Sequence, residues 1–409
     1  MKSVFILGRQ PALGLAELES LFGADNILPL GSGFALSSVD AKDVPFARLG
    51  GSLKISRILT WLETTNWDEL QDYLVNTIPG YLKYLPEGGK LKLGISAYNM
   101  QINPKRINAT GLILKKIIKT QGRSVRIVPN KSAALSSPQV IHNHLTGELG
   151  WELIFIRDGN RTLLAQTVAE QDIEAYTARD QARPKRDARV GMLPPKLAQI
   201  IINLARPNDD NIVLDPFCGT GVVLQEALLM GYSVSASDID PRMGNYTRAN
   251  LDWLASKFPK IENLSRNWQL GDATSMTWET SEFKVEDGLV VDAKRVPFPL
   301  QSIACETYLG RPFSSAPKPD VLQDVMQDVN IIHKKFLQNV ARQTNAGLRM
   351  CIAIPAWRVG NSFKHLKMLD SLEELGYNRI RFAHARDDAL IYHREGQFVG
   401  RELVVLERI

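Results

Sequence analysis

The sequence predicts an α/β fold in which a domain of alternating strands and helices follows smaller α+β units. Three observations carry that prediction. After Pro195, strand and helix patterns succeed each other at the spacing of a parallel sheet covered by helices. The run Val213-Leu214-Asp215-Pro216-Phe217-Cys218-Gly219-Thr220-Gly221 reads as a buried strand that stops at a carboxylate and turns through glycines into a helix. Before residue 171, short β-type runs are interleaved with helical stretches without that regular alternation.

In order along the chain, Val4 to Leu7 reads as a strand and Leu13 to Phe22 as a helix ended by Gly23. Residues 1–60 are expected to form an α+β, ferredoxin-like module. A second α+β unit is expected over 61–170. It has a strand at Leu91 to Ala97, a helix over Pro104 to Thr120 with Ile107, Leu114, Ile117 and Ile118 on its apolar side, and a strand at Ser124 to Val128. A helix near Pro138 to Leu145 and a hairpin-like pair, Trp151 to Arg157 and Thr162 to Val168, complete it. Residues 171–195 carry Arg179, Arg183, Lys185, Arg186 and Arg189 with three prolines, the composition of a basic linker running over the surface. Residues 196–409 form the alternating domain: a helix at Lys196 to Ala205, a strand at Asn211 to Leu214, a helix at Val222 to Met230 and a strand at Ser233 to Ser237. Further strands are expected at Trp268 to Leu270, Ser302 to Cys305, Met350 to Ile354 and Leu403 to Leu406.

Composition narrows the function classes. With 44% hydrophobic and 23% charged residues the chain can bury real cores, which excludes a disordered or collagen-like polymer. Its apolar runs fall short of the roughly 20 residues that span a bilayer, and the short apolar core of the N-terminus is no secretory signal, so no membrane association is expected. Cys218, Cys305 and Cys351 are too scattered for a disulfide framework or thiolate zinc site, which points to a reducing cytoplasm. His142 and His144 lack cysteine or acidic companions and read as ordinary hydrogen-bonding residues rather than metal ligands. The net charge of +5 is modest, but between Tyr81 and Lys131 eleven Lys or Arg face one acidic residue, Glu87. That stretch, with Lys115, Lys116, Lys119, Arg123, Arg126 and Lys131, is a footprint suited to a phosphate backbone, or else a solvated face.

The chemistry-bearing signal is the glycine turn. Glycines let a ligand approach the backbone, and the following helix N-terminus leaves free N–H groups. About 20 residues on, a second strand ends in Ser237-Asp238-Ile239-Asp240, where Asp238 is placed to hold both hydroxyls of a ribose. Gly219-Thr220-Gly221-Val222-Val223-Leu224 lacks the third glycine of a dinucleotide fingerprint, which argues against a dehydrogenase. Asp272, in Gly271-Asp272-Ala273, could accept an adenine amino group, as could Asp292; either could instead cap a helix.

Asp215-Pro216-Phe217-Cys218-Gly219-Thr220-Gly221 resembles motif I of class I S-adenosylmethionine-dependent methyltransferases, whose fold is Rossmann-like. Arg179-Asp180-Gln181-Ala182-Arg183-Pro184, Gly191-Met192-Leu193-Pro194-Pro195-Lys196-Leu197-Ala198 and Gly396-Gln397-Phe398-Val399-Gly400-Arg401-Glu402 resemble the tRNA guanosine-10 N2-methyltransferase family. Residues before Asp172, including Leu135-Ser136-Ser137-Pro138-Gln139-Val140, resemble that family's N-terminal and THUMP domains. The resemblance implies S-adenosylmethionine as cofactor, tRNA as substrate and a THUMP-like, RNA-binding unit; relatives of this family can also rely on a small activator subunit. Asp215, Gly219 and Gly221 would surround the methionine part, Asp238 the ribose and Asp272 the adenine, with Phe217, Cys218 and Ala273 also among the cofactor-binding residues. Arg179 and Arg183 join the basic stretch as expected RNA contacts.

One motif departs. The family's Asp-Pro-Pro-Tyr at the end of the fourth strand is matched here by Glu306-Thr307-Tyr308-Leu309-Gly310. Guanine N2 is a poor nucleophile whose N–H bonds must be accepted while it is aligned on the methyl donor. Glu306 keeps the carboxylate with a longer reach, whereas Thr307 and Tyr308 remove the rings that stiffen the turn. Tyr308 is expected either to stack on a flipped base or to pack beneath the loop, and Phe313 is a second stacking candidate. The expected activity is tRNA guanine-N2 methylation, with Glu306 and Tyr308 as catalytic residues. Two alternatives remain open: a tRNA-binding protein that kept the fold and lost catalysis, and a DNA amino-methyltransferase.

Overall fold

The computed structural model describes residues 1–187, 192–208, 212–286, 289–297, 300–313 and 317–409, with the backbone alone over 280–286 and 289–297. Arg189, Gly191, Asn211 and the side chain of Asp292 lie outside the described residues. The chain divides into two compact units: 1–15, 22–47 and 51–176 in one, and 16–21, 48–50 and 177–409 in the other.

In the N-terminal unit, strands from 1–60 and from 61–170 enter one eight-stranded sheet. Its order is 27–30, 34–37, 3–7, 52–62, 161–170, 150–158, 91–98, 125–127. The Ser52–Leu62 strand bridges the two halves, pairing with Ser3–Leu7 on one side and Arg161–Glu170 on the other. Helices Trp67–Tyr81 and Pro104–Thr120 bury Leu70, Leu74, Ile78, Ile107, Leu114 and Ile118 against Leu93, Ile95 and Phe155. The Trp67 indole N–H donates to Thr110 Oγ1 at 2.9 Å, satisfying the one polar atom of a buried ring. The run Leu135 to Val140 starts the short helix Ser137–His142, whose Gln139 Oε1 accepts from the Ser136 N–H at 3.1 Å.

This unit also buries a charge cluster that no sequence pattern marks. Lys54 Nζ lies 2.7 Å from Glu152 Oε1 and 3.1 Å from Glu170 Oε2, all three side chains being at most 4% exposed. Glu152 is further held by Ser96 and Thr167 hydroxyls, each 2.6 Å away. Burial pulls the Lys54 pKa down, but the two carboxylates outweigh it and hold the ammonium above its ordinary value. Glu170 has the weaker hold on the cation, and burial pushes its carboxyl up to about 7, with Lys54 opposing. Folded Glu170 therefore keeps a proton that the unfolded chain releases near its ordinary pKa of 4.5. The sign follows: stability of this unit declines as pH rises from about 4.5 towards 7. Denaturation midpoints at pH 5 and pH 8 should differ in that sense, and Glu170→Gln should flatten the difference; an unchanged slope in the variant would place its source elsewhere.

In the C-terminal unit, helix α1 (Pro195–Ala205) is buried from Leu197 to Ala205, so it is apolar nearly all round. Its two buried polar residues are paired: Gln199 Nε2 donates to Glu226 at 2.9 Å, and Asn203 Nδ2 to Glu17 and the Arg48 carbonyl at 2.7 Å each. Arg206, at φ 49°, ends the helix. Then come β1 (Ile212–Asp215), α2 (Val222–Leu229), β2 (Ser233–Asp238), α3 (Pro241–Lys257), β3 (Arg266–Leu270), β4 (Ser302–Glu306), α4 (Pro319–Ala341), β5 (Arg349–Val359), β6 (Tyr377–Arg379) and β7 (Val399–Arg408).

The main path of the sheet runs β3-β2-β1-β4-β5-β7-β6. Strands β1 to β5 are mutually parallel and β7 inserts antiparallel beside β5. This is the Rossmann-like architecture that the alternation after Pro195 predicts. Helix α4 lays Leu322, Val325, Val329, Phe336, Leu337 and Val340 on a core with Leu214, Ile303, Ile352 and Trp357, the spacing of one helical face. Strand order reverses between β1 and β4, and in open α/β sheets the crevice beyond the carboxyl ends of such strands is where ligands bind.

The segment 171–195 is more structured than its composition suggests. Residues Ile173–Gln181 form a helix, Arg183 is 3% exposed, and Arg179 is ion-paired with Glu226. Among the described residues, no helix is long and apolar enough to cross a membrane.

Candidate active site

The strand ends at the β1/β4 reversal bring two carboxylates, Asp238 and Glu306, within electrostatic reach of a third, Asp215. Asp215 ends β1 with its side chain turned inward. Its Oδ1 accepts the Phe217 N–H at 3.1 Å, and burial pushes its carboxyl well above the ordinary range. Asp215 thus closes the turn. Cys218, 5% exposed, backs the same turn, with Sγ 3.8 Å from Thr247 Oγ1. The Phe217 ring meets Phe336 edge-on at 4.9 Å.

Gly219 and Gly221 take φ of 50° and 81°, and a Cβ on Gly221 would come within 3.0 Å of Thr247. Both demands select glycine. Thr247 Oγ1 donates to the Gly219 carbonyl and Asn250 Nδ2 to the Thr220 carbonyl, each at 2.9 Å, so α3 holds the turn open from outside.

Asp238 at the end of β2 accepts the Gly219 N–H on Oδ2 and the Asp240 N–H on Oδ1, both at 2.9 Å. Burial raises its carboxyl and these N–H bonds oppose that. A half-buried carboxylate so oriented fits ribose hydroxyls, since each oxygen has a second lone pair to offer. Asp272 is exposed and its Oδ1 accepts the Thr274 N–H at 2.8 Å, the capping role open from the sequence. Ala273 is buried, and its carbonyl accepts from Asn339 at 3.0 Å.

Two residues that sequence reasoning passed over flank this cradle. Ile239 and Leu270 are 69% and 57% exposed at the ends of neighbouring strands, Asp238 pairing with Leu270. Apolar residues left outside at a strand end are the signal that could have found them.

Glu306 ends β4 with its side chain 14% exposed, and Arg401 Nε on β7 donates to its Oε1. Burial raises the Glu306 carboxyl and Arg401 opposes. Arg401 was legible only as part of a terminal motif; the β5/β7 pairing brings it to the site, opposite Pro355. The next residue is also fastened. Thr307 N–H donates to the Ala353 carbonyl at 3.0 Å, and its hydroxyl lies 2.6 Å from His333 Nε2. His333 Nδ1 lies 2.7 Å from the Val329 carbonyl, which can only accept, so Nδ1 carries the proton and Nε2 accepts from Thr307. Burial lowers the His333 pKa to about 4, keeping the ring neutral. Gly310, at φ 87°, bends the loop against Val325 and Val329 of α4.

Tyr308 is 45% exposed and does not pack beneath the loop. Phe313 is committed to an edge-on contact with Phe398, with centroids 6.0 Å apart. In the N-terminal unit, Lys116, Lys119, Arg126 and Lys131 are exposed, Lys115 is half-buried, and Arg123 spends a guanidinium nitrogen on the Pro86 carbonyl at 2.6 Å. Arg179 and Arg183, expected as RNA contacts, are instead a half-buried ion-pair partner and a buried side chain. The reason is local: the helix at 173–181 turns Arg179 towards Glu226, which supplies its countercharge, and Arg183 follows in the bend after that helix. His142 pairs with Glu174 at 3.3 Å, and no metal-ligand cluster exists among the described residues.

A cavity of about 950 Å³ lies elsewhere, at the β6/β7 edge, lined by His365, Arg379, Asp387 and Glu402. It has no glycine turn and no strand reversal.

Comparison with known proteins finds similarity to methyltransferases. Residues 183–270 match the RMKL-like UPF0020 methyltransferase domain. The chain is 30% identical over 155 residues to the tRNA (guanine(10)-N2)-dimethyltransferase of Methanocaldococcus jannaschii, covering 37% of this chain and 41% of that one. It is 40% identical over 129 residues to the enzyme of the same name from Methanothermobacter thermautotrophicus, covering 31% of this chain and 38% of that one. The alignments thus span less than half the length of these two relatives. Among solved structures, TrmN from Thermus thermophilus aligns over 100% of this chain and 99% of its own, with 16% identity and a TM-score of 0.48.

Proposed function

We propose that the protein is an S-adenosylmethionine-dependent tRNA methyltransferase acting on the exocyclic N2 of a guanosine, of the position-10 type. The observation that carries this reading is the meeting, at one strand reversal, of a glycine-turn nucleoside cradle with the Glu306 carboxylate. The family match over 183–270 covers the cradle itself.

The donor-set chemistry fits the cofactor: a carboxylate for the ribose, glycines that admit backbone approach, and two exposed aliphatic side chains where a purine would rest. Asp238 would hold the ribose, Ile239 and Leu270 would cover the adenine faces, and Asp272 would lie beside its amino group. When bound, S-adenosylmethionine supplies an electrophilic methyl on a sulfonium. Glu306, with Oε1 taken by Arg401, keeps its second oxygen for an N–H of the guanine amine. A carboxyl raised by burial is a better proton acceptor than an exposed one. Tyr308 offers a ring on which an extruded base can stack, a contact worth roughly 1 to 3 kcal/mol in single-strand recognition. The exposed lysines and arginines between 81 and 131 would take tRNA phosphates, as a THUMP-like unit in the cytoplasm would require.

Thr307 occupies the place where the related motif has a proline. Its two fastenings, to Ala353 and to His333, supply from outside the stiffness that a ring would supply from within. Thr307→Val is therefore expected to lower turnover roughly 10- to 100-fold with cofactor affinity unchanged. Single-turnover kinetics beside calorimetry would check this; equal loss in both would mean that the whole site had moved.

The overall reading is tested by incubating the protein with mixed tRNA and labelled S-adenosylmethionine, then analysing nucleosides by mass spectrometry. N2-methylguanosine or its dimethyl form is expected, and tRNA left unlabelled with a small activator subunit also supplied would reject the reading. A specific observation favours a second one: Glu306 is already ion-paired, as it would be in a tRNA-binding protein that kept the fold without turnover. Tight tRNA and cofactor binding with no product would select it. A small activator subunit is a third component to supply before a negative result is accepted.

A further inference from the structure

Arg183 is the least expected side chain in the C-terminal unit. It is 3% exposed, and none of Nε, Nη1 and Nη2 has a hydrogen-bond partner among the described residues. A guanidinium presents five N–H donors and stays charged at neutral pH, so leaving all of them unused in the interior is costly. Groups held in that condition cluster where a ligand completes them.

The surroundings point to the glycine turn. Four residues earlier, Arg179 is fixed to Glu226 on α2 by bonds of 2.7 and 3.3 Å. Two residues later, the Lys185 N–H and carbonyl both bond the Asn250 amide at 2.9 Å, and the same Asn250 Nδ2 reaches the Thr220 carbonyl at 2.9 Å. One side chain thus ties the Arg183 segment to the turn that opens α2. The first turn of α2 has spare donors of its own: the N–H groups of Val222, Val223 and Leu224 precede the first helical bond, Gln225 N–H to the Gly221 carbonyl, and Gly221 offers no capping side chain. The charged neighbours of Arg183 are Asp180, Arg186 and Glu226. Glu226 is occupied by Arg179 and Gln199, and Asp180 Oδ1 has no hydrogen-bond partner of its own among the described residues.

We propose that Arg183 binds the carboxylate at the amino-acid end of the cofactor, forming with the first amides of α2 an anion subsite beside the glycine turn. The inference rests on the nucleoside reading of that turn and adds to it a charged anchor. It also gives Arg183 a role other than the RNA contact its composition suggested.

The test is a ligand–variant cycle by calorimetry. S-Adenosylhomocysteine and its decarboxylated analogue, S-adenosyl-3-thiopropylamine, are titrated into the parent chain, Arg183→Met and Arg183→Lys. Arg183→Met should weaken the carboxylate-bearing ligand roughly 10- to 100-fold, leave the decarboxylated one within about threefold, and melt no lower than the parent without ligand, because it removes an unpaired buried charge. Arg183→Lys should fall between. Equal loss for both ligands, or no loss for either, overturns the inference. So does a lower melting temperature of unliganded Arg183→Met, which would mean that Arg183 serves the fold by pairing with Asp180. A parent chain that binds neither ligand rejects the nucleoside reading as well, and is thereby distinguished from failure of the Arg183 assignment alone.

Discussion

Asp238→Ala is expected to weaken S-adenosylhomocysteine binding roughly 10²- to 10⁴-fold, since two hydrogen bonds from ribose hydroxyls to a charged acceptor are lost at about 1.5 to 3 kcal/mol each. The same carboxylate accepts the Gly219 and Asp240 N–H groups, so alanine also releases the turn from β2. Asp238→Asn separates the two effects. It keeps one oxygen acceptor for a turn amide while giving up the charge and the second acceptor, so it should fold like the parent and still bind poorly. Calorimetry together with thermal melting would check both variants. Parent-like affinity in Asp238→Ala would show that β2 does not deliver the ribose anchor, and the nucleoside cradle would have to be sought elsewhere.

Glu306→Gln carries the second large effect. Loss of the proton acceptor should reduce turnover by about 10² to 10⁴. It should also destabilise the C-terminal unit, because Arg401, with its side chain 8% exposed, is left without its countercharge. Breaking such a buried pair by removing one partner costs about 3 kcal/mol or more. The double variant Glu306→Gln with Arg401→Met should recover much of the stability and none of the turnover. That pattern separates chemistry from fold: stability follows the pair, whereas rate follows the carboxylate. Since burial raises the Glu306 carboxyl, the parent rate should also fall on the acid side at a pH above the ordinary carboxylate range, and that limb should vanish in Glu306→Gln. A parent-like rate in the single variant would mean that another group accepts the amine proton.

Much of the local structure in both units was legible because its signals are local. The helix at Pro104–Thr120 and the turn at Asp215–Gly221 are written in neighbouring residues: apolar spacing in one, a carboxylate and paired glycines in the other. Helix Pro319–Ala341 and the hairpin at 279–297 went unread, though the helix carries a clear apolar stripe. Asp215, Gly219, Gly221 and Asp238 were singled out by the same local logic. Arg401 and His333 were not found as site residues, since they stand 95 and 26 residues from their partners Glu306 and Thr307. Arg179 and Arg183 were expected at the surface for the complementary reason: composition reports charge, not the direction in which the backbone turns it.

Local sequence by itself determined the turn chemistry, the strand-ending carboxylates and the alternation that builds a parallel sheet, because each depends on backbone conformations a few residues long. Only the tertiary structure decided which charges are buried and what answers them: Glu306 by Arg401, Lys54 by two glutamates, Arg183 by no hydrogen bond from the described residues. The physical reason is that the energy of an ionised group depends on its desolvation and its distance to countercharge, and both are set by strands and helices that the chain brings together from far apart.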